Sequence, residues 1–195
     1  MARLRDENKR ALILETSKML FSQKGFFNTS ISDIVKETAL PVGSIYTYFS
    51  SKDEIMKTIV EEGWNDLYKR LLEMISSHED DELKLKAIIE QFIPEILRDV
   101  DLINILLSEA IVFTKIEEKM EVLSTMMYDL IKSISKKKPG LEGLNKRFIE
   151  TALMVYFLGI FNAVKLTRLS SINIKQTDII DFLKLSIENS LNIKL

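Results

Sequence analysis

Position 41 is the tightest constraint in this sequence. In "TSISDIVKETALPVGSIYTYFSSKDEI", which begins at Thr29, a proline follows Leu40 and divides two segments that each carry apolar residues at helical spacing. Proline has no N–H to donate and disfavours helical geometry in the residue before it, so the chain must turn at Leu40-Pro41 and start again. The new segment, 42–49, is only about two turns long. It presents a polar, aromatic-rich surface with no evident partner in its own chain.

Three prolines and six glycines among 195 residues leave few other breaks, so helix is expected throughout. Residues 5–24 place Ile13, Leu14, Ser17, Leu20 and Phe21 on one helical stripe that stops at Gly25. Ser30, with Asp33 three positions on, resembles a capping box opening a short helix that ends near Ala39. Ser51 with Glu54 gives a second such start, to a long helix over 52–76. Further helices are expected near 80–99, 101–112, 115–137, 142–169 and 176–192, and no stretch alternates with period two. "KKKPG" at 136–140 reads as a helix C-terminus, cations facing the dipole, and not as a basic patch. The fold class is therefore all-α. A three-helix domain at 1–50 is expected to precede a helical body at 51–195, with the helix 52–76 connecting the two.

The residue inventory narrows the chemistry. There is no cysteine and one histidine, His78, so no Ser/His/Asp or Cys/His arrangement and no cluster with metal-ligand spacing can be drawn elsewhere. No glycine-rich phosphate loop is present. Neither an enzyme, a metal site nor a cofactor is expected. The N-terminus lacks the apolar run of a signal peptide, and the longest apolar run, 152–161, is about half the ~20 residues a membrane span needs. A cytoplasmic protein without a membrane partner is expected. Residues 1–57 carry nine Lys/Arg against seven Asp/Glu, a slightly basic head on a body that is net acidic.

Two short helices crossing at a tight turn make a helix-turn-helix, whose second helix fits a major groove about 12 Å wide. Ile31, Ile34 and Val35 supply the underside of the first helix, Ile45 and Phe49 anchor the second, and Ile13, Leu20 and Phe21 close the core beneath. Val42, Gly43, Ser44, Tyr46, Thr47 and Tyr48 are left at or near the surface. The stretch "ILETSKMLFSQKGFFNTSISDIVKETALPVGSIYTYFSSKDEI" resembles the DNA-binding domain of TetR-family transcriptional regulators over residues 8–56. The resemblance rests on Ile13, Leu20, Phe21, Gly25, Thr29, Ile34, Gly43, Ser44, Tyr46, Tyr48, Phe49 and Lys52. It implies an all-helical homodimer whose C-terminal domain binds a small ligand and so releases DNA, usually in repression. Ala39 stands where the family commonly has glycine, Pro41 where it has serine, and Val42 where a polar or basic residue often reads bases.

Thr29 and Ser30 are expected to cap a helix and to reach DNA through hydroxyls or adjacent N–H groups. One of Tyr46 and Tyr48 should pack while the other reaches phosphate, and the family pattern favours Tyr46 for that contact. Lys52, at a helix start where the dipole disfavours a cation, needs a compensating partner; a phosphate oxygen is one. Gly43 has two readings, close approach to the groove or simple tolerance at a helix start.

The body is rich in large apolar residues, most of them core, and a pocket there should be apolar and adaptable. Phe92, Ile96, Leu106, Phe113, Met127, Met154 and Phe157 are its candidate lining, with Glu109 and Asn162 as polar groups to orient a ligand. Pro94 should either kink its helix and open space or mark a boundary. The last two helices are more apolar than one neighbour can cover. Gly159, Ala163, Ile179, Phe182 and Leu183 are therefore expected in a dimer interface. The alternative to a ligand-responsive DNA-binding regulator is a helical adaptor that keeps the fold and works through protein contacts.

Overall fold

The computed structural model describes residues 6–77, 79–108, 115–136, 145–169, 171 and 173–194. Among them the chain is all-α: α1 Glu7–Lys24, α2 Ile31–Thr38, α3 Val42–Tyr48, α4 Lys52–Ile75, α5 Asp81–Ala87, a π-helical turn Ile88–Phe92, α6 Ile93–Ile96, α7 Val100–Ser108, α8 Ile116–Lys136, α9 Lys146–Leu169 and α10 Gln176–Leu191. Two compact units result, Met1–Asn65 with Asp101–Lys115, and Asp66–Val100 with Ile116–Leu195.

The first unit is built as the apolar spacing demands. Ile13, Leu20 and Phe21 of α1, Ile34 of α2, Ile45 of α3 and Phe49 behind it are all buried. Ile31 and Val35 are only half-buried, so Ile34 alone is the deep anchor of α2. Gly25 ends α1 at φ 82°, a conformation side chains disfavour, and its N–H closes on the Phe21 carbonyl. The unit is larger than residues 1–50. It takes in the start of α4, with Ile55, Met56, Ile59 and Val60 buried, and α7, with Ile103 and Ile105 buried. Gly63 explains the fit of α7, since a Cβ there would lie 2.5 Å from Leu102 Cδ1. Asn104 Nδ2 then donates to Ser22 Oγ at 3.2 Å, tying α7 to α1. Arg10 of α1 pairs with Glu62 of α4, and that hydrogen bond raises the arginine's already high pKa.

In the second unit Leu85, Ile88, Ile89 and Phe92 pack with Leu71, Met127, Leu130, Ile134, Ile179 and Leu183 in one core. Pro94 does not break the helix outright; a π-helical turn precedes it, and the chain runs on to Ile96. Proline cannot donate to the preceding turn, and the wider π turn accommodates that loss. Gln176 Nε2 donates to the Pro94 carbonyl at 2.9 Å, and Lys184 donates to Glu90 at 2.6 Å, so α10 is pinned along this irregular segment. That lysine holds the Glu90 carboxyl below its usual pKa, and the carboxylate raises the lysine's in return. The apolar run 152–161 is short, but α9 is continuous, and its stretch Lys146–Val164 is long and apolar enough, by length and composition, to cross a membrane.

Candidate nucleic-acid interface

The turn between α2 and α3 is fixed by local chemistry. Ser30 caps α2 as expected: its hydroxyl accepts from the Asp33 N–H at 3.1 Å, and the Asp33 carboxylate accepts from the Ser30 N–H at 2.8 Å. The Ser30 hydroxyl also donates to the Asp33 carboxylate at 2.6 Å, and that bond, followed by the one from the Ser30 N–H, holds the Asp33 pKa below the usual 3.8. At the other end Thr38 donates to the Ile34 carbonyl at 2.7 Å and accepts from the Leu40 N–H at 3.3 Å. Ala39 between them is left-handed, φ 55° and ψ 20°, where glycine would be unstrained. Pro41 occupies the cap position just before α3, not its first turn, and its carbonyl accepts from the Ser44 N–H at 2.8 Å.

On α3, Ile45 is fully buried and Phe49 nearly so, which turns the opposite face outward. Val42 is 52% exposed and Tyr46 54%, with Gly43 and Thr47 also exposed and Ser44 half-buried. Nothing among the described residues lies within 4 Å of where a Gly43 Cβ would sit, so no packing among them requires glycine there. Thr47 donates its hydroxyl proton to the Gly43 carbonyl at 2.8 Å. The two tyrosines separate as the sequence suggested one of them must. Tyr48 is half-buried and its hydroxyl accepts from the Asp6 N–H at 2.9 Å, while Tyr46 makes no hydrogen bond among the described residues.

Two of the expected DNA-contact residues, Thr29 and Lys52, make hydrogen bonds within the chain. Thr29 is 1% exposed, and its hydroxyl donates to the carbonyls of Gly25 at 2.9 Å and Leu20 at 3.3 Å, closing the α1–α2 corner from inside. The Lys52 ammonium donates to the carbonyls of Phe26 at 2.7 Å and Thr29 at 2.6 Å and sits 4.2 Å from the centre of the Phe26 ring. The compensating partner that its awkward position called for is therefore the protein's own backbone. These two carbonyls engage two of the three ammonium donors. The tether from Asp6 to Tyr48 gave no signal in the sequence, because backbone N–H groups carry no identity.

The described candidate pocket residues have different surroundings. Phe92 and Met127 are core residues of the second unit, and Ile96 packs against that core, whereas Leu106 is buried in the first unit. Met154 is 49% exposed on α9, and Asn162, also exposed, donates to the Leu158 carbonyl at 2.8 Å. Glu109 and Phe113, like His78, lie outside the described residues, as does the Phe157 side chain. A cleft of about 60 Å³ opens instead among Leu97, Val164, Thr167, Ile174, Gln176 and Ile179. That volume is well below the ~300 Å³ at which small-molecule sites begin. Of the candidate interface residues, Ile179 and Leu183 belong to the chain's own core and Ala163 packs against it. Gly159 and Phe182 are exposed. Phe182 stands with Val155, Leu158 and Leu185 among the large apolar residues that α9 and α10 leave in solvent.

Residues 13–59 match the family model described as bacterial regulatory proteins, tetR family. Over 94 residues the chain is 32% identical to an uncharacterized HTH-type transcriptional regulator of Bacillus subtilis, YfiR, an alignment covering 48% of this chain and 45% of that protein. The chain thus spans less than half the length of such relatives. Among solved structures it is similar to the fatty acid degradation regulator FadR from Bacillus halodurans, at a TM-score of 0.73 and 17% identity over 94% of each chain. It is similar also to the regulator FadR from Bacillus subtilis in complex with stearoyl-CoA, at a TM-score of 0.68 and 17% identity over 93% of this chain and 95% of that one. At such identities the solved structures establish the fold. The relatives are transcriptional regulators, not enzymes.

Proposed function

The chain belongs to the tetR family of bacterial regulatory proteins through its N-terminal domain, and on that premise we propose that it represses transcription in the cytoplasm as a DNA-bound homodimer. A largely apolar small molecule releases it from the operator. One observation carries the reading: α3 is anchored by Ile45 and Phe49 while Val42, Gly43, Tyr46 and Thr47 face solvent with nothing from the described chain over them. A groove-sized helix displayed in this way suits duplex DNA. Ser30 and Tyr46 are the positioning contacts, and Val42, Gly43, Ser44 and Thr47 lie against base edges. Lys52 and Tyr48 act behind them, holding the corner and the end of the recognition helix.

Dimerisation is supported by α9 and α10. The rings of Tyr156 and Phe182 lie 6.5 Å apart, so the two helices are neighbours, and Val155, Leu158, Phe182 and Leu185 are each 45–65% exposed. A second copy covering this face accounts for the apolar length of α9 without a bilayer. A half-site reader gains specificity as a dimer, with recognition helices about 34–36 Å apart or a multiple of that. The apolar effector is supported by the aliphatic and Met-containing core of the second unit and by the stearoyl-CoA held by the B. subtilis regulator. Release requires that the effector prefer the conformation with mismatched recognition helices, and about 1.4 kcal/mol of coupling weakens DNA binding tenfold.

The decisive experiment is selection from random duplex DNA alongside sedimentation. A dimer at micromolar concentration and an enriched pseudo-palindrome are expected. A stable monomer, or a pool that never converges, refutes the reading and favours the adaptor.

A further inference from the structure

Four side-chain chemistries let a protein tell bases apart in the major groove. Arginine or lysine reads guanine through O6 and N7, asparagine or glutamine reads adenine, a carboxylate reads the cytosine amino group, and an apolar group reads the thymine methyl. The recognition helix, Val42–Tyr48, has the sequence VGSIYTY and contains no residue of the first three kinds. Its exposed residues are Val42, Tyr46, Gly43 and Thr47, which lie in that order around roughly 140° of a helix with 3.6 residues per turn.

Within that arc Val42 offers only methyl groups, half in solvent, and Gly43 offers a flat surface with open space above it. Thr47 is less polar than its name suggests. Its proton is engaged on the Gly43 carbonyl at 2.8 Å, so it has none to donate to guanine O6 or N7, and its Cγ2 methyl is the unbonded end of the side chain. Tyr46 is the side-chain hydrogen-bond donor left on the arc among the described residues. Such a face carries methyl groups at both edges of the arc, with the Tyr46 ring and the open surface of Gly43 between them.

We infer that the recognition helix reads thymine, with the C5 methyl groups of two thymines in each half-site packed against Val42 at one edge of the arc and against the Thr47 methyl at the other. The inference rests on the DNA-binding reading above and names the base class that reading leaves open. Guanine is discriminated weakly at these positions, because no bidentate donor faces it.

The test uses the full-length protein and the site enriched by selection. Each thymine in turn is replaced by deoxyuridine, which removes the methyl and keeps the base pair. Loss of about fourfold in affinity at one or two thymines per half-site is expected, the value of one buried methyl-sized group. In Val42→Ala and in Thr47→Ser, which deletes the methyl and keeps the hydroxyl, the preference for thymine over deoxyuridine should fall toward one at the matching position. Affinity within twofold at every deoxyuridine overturns the inference while leaving sequence-specific binding intact. A deoxyuridine loss that both variants retain at full size overturns its assignment to Val42 and Thr47. Failure of the selection to enrich any sequence overturns the DNA-binding reading, and this inference with it.

Discussion

Gly43→Ala separates the two roles open to this glycine. Gly43 is helical, has no positive φ, and nothing lies within 4 Å of the Cβ that alanine would add. Alanine is favoured over glycine in a helix by up to about 1 kcal/mol, less near an end, so the variant should gain roughly 0.5 kcal/mol in stability. For a chain of this size that is a rise of about 1–2 °C in Tm. The same methyl would stand between the recognition helix and the base edges. DNA affinity should therefore fall at least tenfold, on sequences of every kind, because the obstruction is to approach and not to any one base. Urea unfolding monitored by circular dichroism gives the first quantity, and anisotropy titration of labelled duplex gives the second. A variant that binds as well as the parent would refute the close-approach argument and leave simple tolerance. A variant less stable than the parent would show a contact at Gly43 that the geometry does not contain.

Lys52→Met should lower stability by about 1.5–3 kcal/mol, the usual worth of hydrogen bonds to a charged group, and weaken DNA binding without changing its salt slope. A slope reduced by about one unit would return Lys52 to the phosphate. Ala39→Gly should stabilise the protein by up to about 1 kcal/mol in the same urea assay, because a left-handed alanine is strained by about 1–2 kcal/mol and glycine's chain entropy offsets part of the relief. Phe182→Glu should give a monomer in sedimentation with little change in the stability of its own unit. Leu183→Ala, one residue on and 2% exposed, should cost about 2–5 kcal/mol. Asp33, its pKa depressed by Ser30, contributes stability present above pH 3.8 and lost as pH falls through its lower folded value. Ser30→Ala should flatten that acid limb of the stability curve, and an unchanged limb would place the effect elsewhere.

The N-terminal corner was legible because its structure is written in local chemistry. Pro41, Gly25 and the pair Ser30 and Asp33 each act on the backbone within a few positions of themselves, so the turn, the helix end and the cap follow from the residues alone. Partners of long side chains do not follow in that way. Lys52 was readable as a cation in need of acceptors, but choosing between a phosphate and the carbonyls of Phe26 and Thr29 requires knowing that the chain folds back across 23 to 26 positions. The same limit governed α7. Its apolar residues placed it in a core, and only the gap at Gly63 and the bond from Asn104 to Ser22 tell which one.

In the body the difficulty lies in the helices themselves. α10 has apolar residues on both faces, so periodicity identifies a helix but gives no preferred side. Phe182 and Leu183 are neighbours in sequence and about 100° apart around the axis, yet one is 61% exposed and the other 2%. Both look equally fit for a core or for a partner. What separates them is the packing of the second unit, whose core takes up Ile179 and Leu183 and leaves Phe182 and Leu185 in solvent. The bonds from Lys184 to Glu90 and from Gln176 to the Pro94 carbonyl fit that same rotation of α10. Burial of two side chains outweighs exposed polar contacts of this kind, which add little to stability, so the side that α10 buries follows from the neighbours that fold against it and not from its own periodicity.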